Sequence, residues 1–261
     1  MPKDLKDTAS LLIKLSEYQG DDEVVTSIAM KRILSELPEV VPVMSRFPQL
    51  DKYTGGFASG ELIAISGPRK SGKTLLAQTL TVSFAKQDVM SLWFSYELPF
   101  RDFLNRFPGE LPIFVMPSKL KANSLDWLRE RIIEGLVKYG IKMVFIDHLH
   151  FLFDLARMRN TSIEIGQVIR TLKTMAIELN ITIFLMCHMA KLDPYQEPSD
   201  DNIRDSSFVS QESDAGIVIW RNVQSENEGW VKVCFHRRTG ILEKKIKCLK
   251  IDGLLQEVID V

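Results

Sequence analysis

Gly67-Pro68-Arg69-Lys70-Ser71-Gly72-Lys73-Thr74 follows the strand-like run Glu61-Leu62-Ile63-Ala64-Ile65-Ser66 and opens the helical pattern Leu75-Leu76-Ala77. This is G-x-x-x-x-G-K-[ST] in the strand-to-helix context that a phosphate-binding loop needs. Two glycines let backbone N–H groups wrap around phosphates, the following helix aims its positive end at them, and the Lys73 ammonium reaches the β- and γ-phosphates. Thr74 supplies a hydroxyl for Mg2+. The stretch predicts a nucleoside triphosphate site formed by Gly67, Pro68, Arg69, Lys70, Ser71, Gly72, Lys73 and Thr74, with ATP and Mg2+ as its ligands. A glycine-rich turn that matches by chance is the bland alternative, and the strand before and helix after it speak against that.

Outward from this loop, short apolar runs rich in β-branched and aromatic residues alternate with longer helical patterns, the sign of a parallel sheet covered by helices. Strands are predicted at 61–66, 90–95, 112–116, 142–147 and 181–187, and helices near 73–86, 98–106, 124–138 and 161–179. After Asp214 the pattern changes to strands without helices, at 216–221, 230–236 and 241–249, which predicts antiparallel strands finishing the sheet. The fold class is therefore α/β, a mostly parallel central sheet flanked by helices with antiparallel strands at the C-terminal end. Before the loop, two amphipathic segments at 8–18 and 23–37 read as helices needing a partner surface. Pro38, Pro42 and Pro48 punctuate an extended connector. The division is 1–49 as a helical linker or oligomerisation segment and 50–261 as the ATPase domain.

With 261 residues the chain can bury a large core, and 45% hydrophobic with 26% charged residues is the balance of a water-soluble globular protein. No apolar run approaches membrane-span length and the start lacks a signal-peptide core, so a location in the cytoplasm or its equivalent is expected. Cys187, Cys234 and Cys248 are odd in number and scattered, which predicts reduced thiols rather than a disulfide framework. A net charge of −1 provides no overall electrostatic footprint for nucleic acid. A protein that grips DNA with a few loops inside a ring channel escapes that objection.

Met143-Val144-Phe145-Ile146-Asp147 is an apolar strand ending in a carboxylate, which suits the second half of a Mg2+ site shared with Thr74. Leu92-Trp93-Phe94-Ser95-Tyr96-Glu97 ends the same way, at the sheet edge where ligands bind. Glu97 there reads either as the general base that polarises the attacking water or as a surface residue capping the next helix. His148 and His150 follow Asp147, and His188 follows Cys187. A metal cluster is disfavoured, because only His148 and His150 are close in sequence and no second ligand pair has metal spacing. His188 is better explained as a strand-end group facing the γ-phosphate. Arg237 and Arg238 lie in a turn between late strands, where a charge is either merely solvated or, in an oligomer, reaches a neighbour's site.

Together these pieces resemble the ATPase domain of the DnaB-like hexameric replicative helicases, within the RecA-like P-loop NTPases, from about Leu50 to the C-terminus. Leu50-Asp51-x-x-Thr54-Gly55-Gly56-Phe57-x-x-Gly60-Glu61-Leu62 is similar to the family's lead-in to the P-loop, Phe94-Ser95-Tyr96-Glu97 to its F-S-x-E, and Ile146-Asp147-His148-Leu149 to its I-D-Y-L. The stretch from Asn202 to Asp214 follows D-L-R-x-S-G-x-I-E-Q-D-A-D without a gap. The resemblance implies an ATP-hydrolysing DNA helicase or translocase in DNA replication, a homo-oligomeric, hexameric ring, and a primase or helicase loader as a further partner. It also implies that Glu97 activates water, that Arg204, Asp205 and Ser207, with Lys191 nearby, grip single-stranded DNA, and that Arg237 of Phe235-His236-Arg237-x-Thr239-Gly240 is the arginine finger. The chain departs from the family at Cys187-His188, where S-Q is usual, at Phe235, where Lys is usual, and at Ser207, where Gly is usual. Rival readings are a recombination mediator, a helicase loader or a regulatory scaffold without processive unwinding, and a small-molecule kinase, which lacks a lid-like segment here.

Overall fold

The computed structural model describes residues 24–36, 41–152, 161–189, 196–199, 202, 206–222 and 224–258. The chain divides into two compact units, Met1–Val40 and Val41–Val261. In the first, the helix α1 (Ser27–Glu36) lies inside the predicted 23–37 segment, and its apolar residues Ile28, Ile33 and Leu34 are exposed. The predicted helix at 8–18 lies outside the described residues.

The second unit contains, in order, α2 (Pro48–Thr54), β1 (Leu62–Gly67), α3 (Lys73–Ala85), β2 (Ser91–Ser95), α4 (Phe100–Leu104), α5 (Leu125–Tyr139), β3 (Met143–Asp147), α6 (Thr161–Glu178), β4 (Thr182–His188), α7 (Ser206–Glu212), β5 (Ala215–Asn222), β6 (Ser225–His236), β7 (Ile241–Ile251) and β8 (Leu254–Glu257). The strands form one sheet in the order β2-β3-β4-β1-β5-β6-β7-β8. β2, β3, β4, β1 and β5 are parallel, and β5 to β8 pair antiparallel.

Alternation along β1 explains the layers. Leu62 and Ala64 face a core built with Leu128 and Ile132 of α5 and Ile169 and Leu172 of α6. Ile63 and Ile65 face the opposite core, with Leu76, Leu80 and Phe84 of α3. Both faces are covered, so the middles of the central strands are continuous apolar runs, with polar residues mainly at the strand ends. Trp93, Phe145 and Phe184 stack across β2, β3 and β4 with ring centroids 4.7 and 4.6 Å apart. The Trp93 indole N–H donates to Thr81 Oγ1 at 2.9 Å, which ties this column to α3.

Local sequence sets the helix ends. Ser124 caps α5 by accepting from the Trp127 amide at 3.3 Å, and Gly140 closes it with φ 60° in the left-handed region. Pro48 sits in the first turn of α2, where its missing N–H is harmless, and Gly55 ends that helix with φ 66°.

Two expectations are corrected. The 112–116 run is not a strand: Val115 alone makes a parallel bridge to Leu92, because Pro112 and Pro117 bracket the run and each removes a donor. The expected connector is non-helical over 41–47, where Val43 pairs antiparallel with Phe57, and α2 begins at its last proline, Pro48. The stretch expected to grip DNA ends in the helix α7 and not in a loop, so Ser207 lies on helical backbone, which Ser adopts without strain.

Candidate functional site

Gly67 ends β1 where β1 lies between β4 and β5, the point at which chain connections leave the sheet in opposite directions. Ligands bind at such a switch point, beyond the carboxyl ends of the strands. A Cβ at Gly67 would stand 2.1 Å from the Ile219 carbonyl of β5, so only glycine fits. Gly72, with φ 106°, is the residue from which α3 starts, and it lets the loop deliver the free N–H groups of that helix.

Lys73 is buried, with Nζ donating to the carbonyls of Gly67 at 3.1 Å and Pro68 at 3.2 Å. Burial holds its pKa below the ordinary value, and the charges of Asp147 and Glu97 work against that shift. Thr74 Oγ1 donates to Asp147 Oδ2 at 2.9 Å, joining the loop to the end of β3. Burial pushes the Asp147 carboxyl up to about 6, while the Thr74 hydrogen bond and the Lys73 charge pull it down. Its other oxygen, Oδ1, is buried and has no hydrogen-bond partner among the described residues. A hydroxyl beside an orphaned carboxylate oxygen is a hard-oxygen donor set, which fits Mg2+.

Glu97, two residues beyond β2, and His188, the last residue of β4, line the same cleft as Arg69, Lys70, Lys73 and Thr74. His188 is paired in register with Gly67. The cleft measures ≈ 820 Å³, within the roughly 300–1,000 Å³ range of ligand pockets. Three cations that the sequence reading passed over also line it, Arg106, Arg221 and Lys250. Arg221 is near the carboxyl end of β5, which is parallel to β1. Lys250 is near the carboxyl end of β7, where two reversals of direction restore the β1 sense. Arg106 follows α4 and its charge lowers the Asp147 pKa. A basic residue at a strand end was the available signal for Arg221 and Lys250, and it needs the topology to be used.

The histidines differ from the sequence expectation. His148, His188 and Glu97 come together although they are far apart in sequence, because β2, β3 and β4 are adjacent parallel strands. His148 Nε2 and His188 Nε2 are 3.0 Å apart, and His148 Nδ1 accepts from the His150 amide at 3.3 Å. Burial and the neighbouring His188 hold His148 down to about 3, so the ring is neutral. Cys187 is fully buried and its thiol is pushed up to about 12, which leaves it inert as a nucleophile.

Arg237 and Arg238 lie at the opposite edge of the sheet. The Arg237 amide donates to the Asp214 carbonyl just before β5, and His236 pairs with Ala215 at the start of that strand. Arg238 is engaged within its own chain, with Nε 2.7 Å from Glu61 Oε1 and Nη2 donating to the carbonyls of Thr54 and Gly56. Arg237 is exposed and its guanidinium donates to the Gln211 carbonyl of α7. Phe235 lays its ring over Gly216, where a Cβ would stand 2.5 Å from that ring. Arg204, Asp205 and Lys191 lie outside the described residues, as does the side chain of Ser207.

The replicative DNA helicase DnaB of Buchnera aphidicola (subspecies Schizaphis graminum) is 26% identical over 237 residues, covering 77% of this chain and 50% of the helicase. DnaB of Haemophilus influenzae is 23% identical over 245 residues, covering 77% and 52%. The chain spans about half the length of these curated relatives. A solved DnaB-like replicative helicase, described with its interactions with primase, superposes with a TM-score of 0.71 at 20% identity, over 97% of this chain and 71% of that one. A solved ATPase domain gives a TM-score of 0.72 at 20% identity, over 89% and 96%. These two likenesses show the shared RecA-like fold. The family model for the DnaB-like helicase C-terminal domain matches residues 42–113 and 108–247, and on that match the chain belongs to the DnaB-like helicase C-terminal domain family.

Proposed function

We propose that the chain is the motor of an ATP-driven, ring-forming helicase or translocase that moves on single-stranded DNA in replication. The observation that carries this reading is the division of the catalytic parts between two edges of one sheet. Lys73, Thr74, Asp147, Glu97 and His188 lie at the carboxyl edge of the parallel strands, whereas Arg237 lies at the amino edge. β1 alone, six residues at roughly 3.3 Å each, puts about 20 Å between the edges. An arginine so placed serves a neighbouring copy's site and not its own, which is the logic of a ring motor.

Within the site, the loop amides and Lys73 hold the phosphates, and Thr74 with Asp147 would hold Mg2+, which would supply neutralisation of phosphate charge. Glu97 accepts a proton from the attacking water, His188 contacts the γ-phosphate, and Arg237 of an adjacent copy meets the charge that develops in the transition state. Arg204, Asp205 and Ser207, with Lys191, make contacts to the DNA backbone, and a primase or loader is the natural further partner. The test is ATPase activity with and without single-stranded DNA, together with strand displacement on a forked duplex, for wild type and Lys73→Ala. DNA-stimulated hydrolysis with displacement, lost in the variant, is the expected result. Hydrolysis without displacement or translocation favours a mediator, and binding without hydrolysis favours a scaffold.

A further inference from the structure

Three of the chain's four histidines meet at one point of the fold, with ring centroids of His148, His150 and His188 4.0 to 5.7 Å apart. His148 directly follows β3 and His188 ends β4, while Glu97 lies just past β2. One ligand atom from each of Glu97, His148 and His188 falls within 4.8 Å of the other two. The Thr74–Asp147 pair is a separate, all-oxygen donor set.

We propose that Glu97, His148 and His188 form a binding site for a borderline-soft divalent transition metal such as Zn2+, distinct from the Mg2+ position. Zn–N bonds of about 2.0–2.1 Å at tetrahedral angles place two ligating nitrogens roughly 3.3 Å apart. The two Nε2 atoms are 3.0 Å apart, so a small ring rotation admits the ion. Two imidazoles and a carboxylate with a fourth position open are a zinc donor set, and they discriminate against Mg2+, which takes oxygen. Because His148 Nδ1 accepts from the His150 amide, the neutral ring carries its proton on Nε2 and donates it to His188 Nε2. The metal takes the place of that bridging proton, which moves to His148 Nδ1 at the cost of the long 3.3 Å bond from His150. Lys73, close enough for its charge to act on His148, opposes a second cation and keeps the affinity below that of a structural zinc site.

The consequence for turnover rests on the proposed ATPase reading: a Glu97 carboxylate tied to metal no longer accepts a proton from water, so Zn2+ inhibits hydrolysis while ATP still binds. Binding itself is tested without nucleotide or Mg2+, by titrating Co2+ into the full chain. The expected result is one ion per chain with a visible tetrahedral band and no thiolate charge-transfer band, since the three cysteines are buried. Zn2+ should displace it. His188→Gln and His148→Gln, each checked for folding by circular dichroism, should lose the band, and Thr74→Ala should keep it. No band in excess Co2+, or a band that persists in the folded His188→Gln protein, overturns the site. An absence of ATPase activity alongside a normal Co2+ band overturns the motor reading and leaves the site standing. A Co2+ band with ATPase unaffected by Zn2+ shows the reverse, a site that does not reach the catalytic step.

Discussion

Lys73 keeps an ammonium in a buried position, with backbone carbonyls as its hydrogen-bond partners among the described residues. A triphosphate offers it an anionic partner, so Lys73→Ala should weaken ATP binding by roughly 10–100-fold, the loss expected for one charge-assisted hydrogen bond. Glu97 is exposed in the same cleft, and in the proposed mechanism it acts on water, not on phosphate. Glu97→Gln should therefore leave binding intact and lower turnover by about 10²–10⁴-fold. Calorimetric binding and phosphate release measured on both variants separate the roles, and an equal loss of binding would remove Glu97 as the base. Lys73, Thr74 and Asp147 could be read directly from sequence, because a phosphate loop and a strand-end carboxylate are local patterns. The His148–His188 contact could not, because the two lie 40 residues apart and meet only through strand order. Arg106, Arg221 and Lys250 were hidden for the same reason.

At the scale of elements, the parallel strands were legible because burial on both faces writes continuous apolar runs into the chain, as in Leu62–Gly67 and Thr182–His188. β8 was missed, since four residues after the Asp252-Gly253 turn are too short to show a period, and α7 was missed because its seven residues are mostly polar. The aromatic column of Trp93, Phe145 and Phe184 is where the elements are fastened together. Trp93→Ala should cost about 3–5 kcal/mol, read as a lowered urea midpoint with an unchanged slope. Little loss would mean that the neighbouring rings close the gap. At the other end of the sheet, His236 is buried against Glu61, with the Arg238 and Asp214 charges also acting on it, and burial holds its pKa below the ordinary value. As pH falls below about 6.5, the unfolded chain takes up a proton that the folded chain resists, so this group removes stability on the acid side. His236→Gln should flatten the stability slope between about pH 7 and about pH 5. An identical slope in denaturant titrations of both proteins would show that His236 is not the source.

For the whole molecule, the proposed action of Arg237 between copies has consequences for what a single copy can do. Arg237→Ala and Glu97→Gln should each lower hydrolysis, the former by on the order of 10³-fold. Mixing the two should restore part of the activity, because some interfaces then join an intact Glu97 to an intact Arg237. If mixed assemblies form and nothing returns, the arginine does not act between copies. The two edges also carry a symmetry argument. If Arg237 serves a neighbour's site as proposed, the donor edge and the acceptor edge are different surfaces, so contact between copies would be head-to-tail and a two-fold pair would not satisfy both partners. An open row of any length leaves one acceptor edge at its end without a donor, whereas a closed circle leaves none. Specific activity per subunit should therefore step upward at the concentration where rows close, so that dilution acts as an off-switch for the motor.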